Sequence, residues 1–210
     1  MNSKTLLLLG AIGAVAMASA EAQVYSVNAV GYVNTTLKPG FNLIANPLNA
    51  ANNTLAGILP APAEGTTVYK WTGSTYASSS YEFGAWSDPA LSLAPGEGAF
   101  VTNPTASNVT VTFVGDVKTG TLSTAIKAGF SMLSSQVPQA GGLTSVLGLP
   151  AVDGTVVYQF NATTQKYVSD AVEFGSWGTS GAVGPSLAVG EAFWISAPAA
   201  STWTRTFSVN

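Results

Sequence analysis

Apolar and polar residues alternate along much of this chain with a period of two. Val109, Val111 and Phe113 alternate with Thr110 and Thr112, and Val68 and Lys70 alternate with Tyr69 and Trp71. That period sends successive side chains to opposite faces of a strand, so Tyr69 and Trp71 share a face. Glycine and proline punctuate the pattern at short intervals, which suits many short strands. Hairpin turns are predicted at Gly73-Ser74 and Ala162-Thr163-Thr164, with return strands beginning at Tyr76 and Tyr167. Two stretches break the period. Asn53 to Pro60 and Gly142 to Pro150 carry apolar residues at helical spacing before a proline, and each predicts a short helix or single helical turn.

The pattern occurs twice. Glu82-Phe83-Gly84-Ala85-Trp86 returns as Glu173-Phe174-Gly175-Ser176-Trp177, and Gly96-Glu97-Gly98-Ala99-Phe100-Val101 as Gly190-Glu191-Ala192-Phe193-Trp194-Ile195. Gly40-Phe41 returns as Gly129-Phe130, and Gly65 to Trp71 as Gly154 to Phe160. Val30-Gly31-Tyr32-Val33 is matched to Val114-Gly115-Asp116-Val117, and Val109 to Phe113 is matched to Trp203 to Phe207. Matches in one order over nearly the whole chain imply a duplication. The expected fold is all-β: two tandem, pseudo-symmetric β-sandwich-like units, each with one short helix, at 21–113 and 114–210.

Residues 1–20 read as an export signal. Lys4 supplies the positive start, Leu6 to Met17 the apolar run, and Ala18-Ser19-Ala20 the small-residue cleavage site. The protein is therefore expected outside the cytoplasm: extracellular, at the cell-envelope surface, or in the periplasm. No transmembrane segment is expected in the mature chain, and short strands and a C-terminal Asn210 argue against an outer-membrane barrel.

Composition narrows the chemistry. The chain has no cysteine and no histidine, so disulfides, catalytic Ser-His-Asp or Cys-His sets and thiolate or imidazole zinc sites cannot be built. Charged residues make up 8% of the chain and no basic stripe exists, so nucleic acid is not an expected partner. No cofactor or metal is expected, although oxygen-ligand chemistry remains open to carboxylates.

Glu97 and Glu191 recur before an apolar strand and read as turn carboxylates that accept backbone N–H bonds, ahead of an acid–base or calcium role. With Glu82 and Glu173 they form the material for a carboxylate enzyme, but a folding device is the role both halves of a duplication must keep. Gly40 and Gly129 read as turn glycines with positive φ, followed by core aromatics Phe41 and Phe130. Trp86, Trp177 and Tyr81 are candidates for sugar stacking, with core packing as the commoner role for such residues.

Val24 to Asn34, Gly40 to Leu48 and Gly96 to Val101 resemble secreted β-repeat proteins of Verrucomicrobia-like bacteria. More loosely, Gly40-Phe41-Asn42-Leu43-Ile44-Ala45-Asn46-Pro47 and the later Gly-Glu block are similar to GWNLIGNP/GFFV modules in Bacteroidetes surface proteins. The resemblance implies an exported β module at or outside the cell envelope and brings no activity or catalytic residues with it. The function expected is a non-enzymatic secreted or cell-surface structural or adhesion protein; the alternative is a carbohydrate-binding module that uses exposed aromatics. Expected partners are a second copy through edge strands and extracellular polysaccharide. In particular, Val24 to Asn34 is expected to complete its own unit or to add to a neighbouring copy. Cleavage after Ala20 is predicted: native exported protein should give an intact mass beginning at Glu21, and a retained Met1 would refute the export reading.

Overall fold

The computed structural model describes residues 29–209. The expected export signal and cleavage site lie outside the described residues, as does the start of the segment expected to complete the first unit. The fold is nearly all β, and no helix among the described residues is long and apolar enough to cross a membrane.

In the first half, β1 (Val30–Leu37) and β7 (Val109–Asp116) form an antiparallel ribbon. It lies over a five-stranded antiparallel sheet built from β2 (Gly40–Ile44), β3 (Thr67–Trp71), β4 (Tyr76–Glu82), β5 (Ala85–Trp86) and β6 (Ala99–Asn103). The order across that sheet is β2-β6-β3-β4-β5. The second half repeats the plan. Its ribbon is β8 (Gly120–Ile126) with β16 (Ser201–Phe207), and a small extra pair joins β10 (Gly141–Gly142) to β14 (Ser186–Leu187). Its sheet contains β9 (Gly129–Ser134), β11 (Val156–Asn161), β12 (Lys166–Glu173), β13 (Ser176–Trp177) and β15 (Ala192–Ala197), in the equivalent order β9-β15-β11-β12-β13.

Each half has its own core, squeezed between ribbon and sheet. Leu37, Val111 and Phe113 of the first ribbon meet Ile44, Val68, Trp86 and Val101 of its sheet. In the second half Ile126 and Trp203 meet Leu133, Val157, Trp177 and Ile195. The alternation read from sequence is what supplies these faces.

The pairing register corrects two of the repeat matches. Val30, Gly31 and Tyr32 pair with Asp116, Gly115 and Val114, so those two stretches are partners in one ribbon and not copies of each other. Leu37 pairs with Val109 while its counterpart Ile126 pairs with Ser201. Trp203 therefore corresponds to Val111, not Val109. A slip of two residues keeps every side chain on its face, so alternation alone cannot detect it.

The helices differ between halves. α1 (Leu55–Ile58) forms as expected, burying Leu55 and Ile58. The second half makes only a turn, in which Val146 N–H and Leu147 N–H both donate to Gly142 O. Gly148, at φ +69°, ends it before a helical turn can propagate.

The two halves share a third core, made of Leu43, Ala45, Phe100, Met132, Ala192 and Trp194. Main-chain bonds surround it in symmetric pairs. Ala45 N–H donates to Gly190 O at 2.9 Å and Ser134 N–H donates to Gly96 O at 3.1 Å. Ile44 bridges Glu191 and, equivalently, Leu133 bridges Glu97. Each inner edge is thus bridged by the other half at one end, and the two-residue outer strands β5 and β13 pair only with the last two residues of β4 and β12. From Val30 onward the N-terminal strand completes its own unit.

At the centre of this junction a Cβ on Gly98 would lie 2.7 Å from the Ala192 Cβ and 2.9 Å from the Met132 side chain. Gly98 and Ala192 are equivalent positions, so one Cβ fits where two do not. Gly98→Ala should cost about 1–3 kcal/mol by overpacking. Adding Ala192→Gly should recover part of it, as read from urea denaturation midpoints; additive losses would show that the two positions do not share one space.

Candidate functional site

Trp86, Trp177 and Tyr81 are buried, at 6%, 4% and 7% exposure. Trp86 Nε1 donates inward to Leu59 O at 2.8 Å and Trp177 Nε1 to Thr144 Oγ1 at 2.9 Å, while Tyr81 packs edge-on against Trp86. Burial of an indole with its N–H paired is core packing. The sugar-stacking expectation at these three residues is therefore corrected: none offers a ring face to solvent.

Glu97 and Glu191 occupy equivalent turns. The Ala94 N–H donates to Glu97 Oε2 at 2.8 Å while the Glu97 N–H donates back to Ala94 O at 3.0 Å. Ala188 and Glu191 repeat the exchange at 2.9 and 3.2 Å. The partners differ. Lys70 Nζ reaches Glu97 Oε2 at 2.7 Å, whereas the residue in its place, Gln159, reaches Glu191 Oε1 at 3.3 Å. Burial pushes the Glu191 carboxyl above its ordinary value, opposed by the bonds from Ala188 and Gln159. Glu82 and Glu173 are exposed at strand ends. Glu97 and Glu191 thus sit in turns and accept backbone N–H bonds, as read from the sequence, whereas Glu82 and Glu173 share only their exposed strand-end placement.

Gly40 and Gly129 have the positive φ expected of turn glycines, at +86° and +79°. Phe41 and Phe130 differ from expectation: both are about half exposed and neither is a core residue. They belong to an aromatic cleft between the halves.

The cleft has two lobes. One, with a volume of about 450 Å³, is lined by Trp71, Tyr76, Phe130, Tyr158, Tyr167 and Trp194. The other, about 600 Å³, is lined by Phe160, Tyr167, Phe41, Tyr69, Tyr76 and Phe100, with Gln165 at its side. Taken in that order the six aromatics of one lobe are the repeat counterparts of the six in the other. Tyr76 and Tyr167 belong to both lobes. The ring geometry repeats as well: Trp71–Tyr76 and Phe160–Tyr167 centroids lie 5.2 and 5.1 Å apart, and Trp71–Trp194 and Phe160–Phe100 lie 5.4 and 5.2 Å apart. Edge-to-face rings at these distances hold one another in place.

Polar anchors break the symmetry. The Gln165 amide pairs with the Phe41 backbone across the halves, accepting from its N–H at 3.1 Å and donating to its carbonyl at 3.0 Å. On the other side the Trp71 indole donates to Phe130 O at 3.2 Å. Among the described residues no carboxylate, lysine or arginine lines either lobe. Burial raises the Tyr76 phenol, as does charge repulsion with Tyr167. Burial also raises Tyr167, with the Trp194 indole opposing. Both phenols are neutral at neutral pH, as tyrosines ordinarily are, and available as donor and acceptor together. The cleft can stack on flat apolar surfaces and hydrogen-bond neutral polar groups.

A second duplicated feature stands on the surface. Phe83 and Phe174 are 98% and 97% exposed. Each sits in the left-handed region, at φ +56° and +52°, before a glycine at +77°. Positive φ at both central residues is the mark of a type I′ hairpin turn, which prefers Asn-Gly and is strained by a bulky side chain. Carboxylates hold the turns: Glu64 accepts from the Phe83 and Gly84 N–H groups, both at 2.8 Å, and Asp153 from the Gly175 N–H at 2.7 Å.

No protein-family model, curated protein or solved structure matches this chain.

The carboxylate pair yields a stability test. A carboxyl whose folded value is raised contributes favourably below its ordinary value of 4.5, and that contribution is lost as pH rises through the raised value. Glu191→Gln should therefore gain on the parent protein as pH rises from that point. Glu97→Gln loses a charge-assisted bond and should cost about 1–2 kcal/mol at neutral pH. Melting curves of both variants at acid and neutral pH check this; identical responses would contradict the different surroundings of the two turns.

Proposed function

We propose that this chain is a non-enzymatic structural or adhesion protein that acts outside the cytoplasm, and that the aromatic cleft is its contact surface. The cleft itself carries the reading. A duplication that places ten aromatic rings into two matching, open lobes with no carboxylate or amine among the described lining residues builds a surface for contact rather than for proton transfer or nucleophilic attack. Of the recurring carboxylates, the other candidates for chemistry, Glu97 and Glu191 are held in turns by backbone bonds.

The second reading, a carbohydrate-binding module, is favoured by the half-exposed faces of Phe41, Phe130, Tyr76 and Tyr167. Sugar rings offer apolar C–H faces and neutral hydroxyls, which suit stacking rings flanked by phenols and an amide.

Trp71 and Trp194 stand in one lobe, so their fluorescence reports on it. Binding to isolated envelope material and to a panel of neutral polysaccharides should shift their emission. Tyr76→Ala with Tyr167→Ala opens both lobes and should weaken retention by about ten-fold or more, roughly 1.4 kcal/mol, with the fold retained. Undiminished retention by the double variant would remove the cleft from the function, and silence across the polysaccharides would remove the carbohydrate reading.

A further inference from the structure

We infer that the partner of the aromatic cleft is a second copy of this chain, which inserts Phe83 and Phe174 into it. This rests on the reading of the cleft as a contact surface and names the occupant.

The first ground is the cost of the tips. A type I′ turn accommodates Asn with ease and a phenyl-bearing residue with strain. Both turns nonetheless carry Phe, both are almost wholly exposed, and neither ring lies against another aromatic ring among the described residues. The rings contribute nothing visible to their own fold, and carboxylates from the preceding loops fix them outward in both halves.

The second ground is the match between knobs and sockets. Each half provides one exposed phenyl and each lobe is an apolar, aromatic-lined opening. Knobs and lobes are related by the same repeat, so their number and chemistry agree.

The third ground is charge, which is scarce in this chain. Glu64, Glu82, Asp153 and Glu173 collar the two tips, four of the ten acidic residues. A basic residue lies at the margin of one lobe: Lys127 donates to Thr72 O beside Trp71 and lines the adjoining hollow with Trp71 and Phe130. An acidic collar around an apolar knob complements this ammonium beside an apolar socket, which orients one copy on another. The same collar repels an anionic lipid surface. Knob and socket are different parts of one surface, so two copies can exchange them reciprocally in a closed dimer or pass them on head-to-tail.

The test uses the mature chain, followed by light scattering and sedimentation over a concentration series at low and high salt. The parent protein should grow in mass with concentration, less so at high salt. Phe83→Asn with Phe174→Asn should leave a monomer whose melting temperature is unchanged or higher, since Asn relieves the turn. Tyr76→Ala with Tyr167→Ala should also be monomeric. Mixed together, these two variants should associate, one supplying sockets and the other knobs. A parent protein that stays monomeric overturns the inference, as do assemblies that survive the Asn substitutions. If such a monomer still binds polysaccharide through the cleft, the contact-surface reading stands without this occupant; if its cleft is silent, both fall. Co-sedimentation with neutral phosphatidylcholine vesicles, lost in the Asn variant and without self-association, would assign the tips to lipid and overturn the inference.

Discussion

The junction between β2 and β6 of one half and β9 and β15 of the other is the constraint on which the rest depends. It ties the two halves by main-chain bonds at Ala45, Gly98 and Ser134 and buries a small core of Leu43, Met132, Phe100 and Trp194. A chain without disulfides has to obtain its rigidity from such packing. Joining the sheets at one edge also determines what happens further out. Beside the junction, aromatics of β3, β4, β11 and β12 join Phe41, Phe100, Phe130 and Trp194 to line the cleft between the halves. The cleft is a consequence of where the halves touch.

Aromatic side chains accordingly fall into three environments. Trp86, Trp177 and Trp203 are buried with their indole N–H groups donating to Leu59, Thr144 and Leu147. Tyr76, Tyr167, Phe41 and Phe130 are half exposed and positioned by neighbouring rings. Phe83 and Phe174 are exposed and positioned by the backbone alone. The first group stabilises, and the second and third present surface. In a chain this poor in charge, apolar surface and neutral hydrogen bonds dominate what a partner meets.

The duplication has drifted in ways that matter locally. Lys70 against Gln159 changes the surroundings of an otherwise identical carboxylate turn. Trp71 against Phe160, and an indole tether against the Gln165 amide, make the two lobes unequal in size and polarity. Asp170 shows the same divergence: burial alone would raise its carboxyl, but bonds from Ser180 and Thr179 outweigh it and hold it low, whereas its counterpart Ser79 is a neutral hydroxyl.

The sequence by itself determined the all-β class, the duplication, the turn glycines at 40 and 129 and the turn carboxylates at 97 and 191. Each follows from local chemistry: period-two alternation, a left-handed φ that favours glycine, a short acid within reach of nearby N–H groups. It also placed Tyr69 and Trp71 on one face. What it left open was which face would be covered. Trp86 and Trp177 lie under a ribbon, and Tyr76 and Tyr167 face the other half, yet all four are aromatics on strands of the same alternating kind. Register within the ribbons was equally out of reach, because a two-residue slip preserves every apolar contact face. Only the docking of the halves decided these, since burial is a property of what packs against a strand and not of the strand alone.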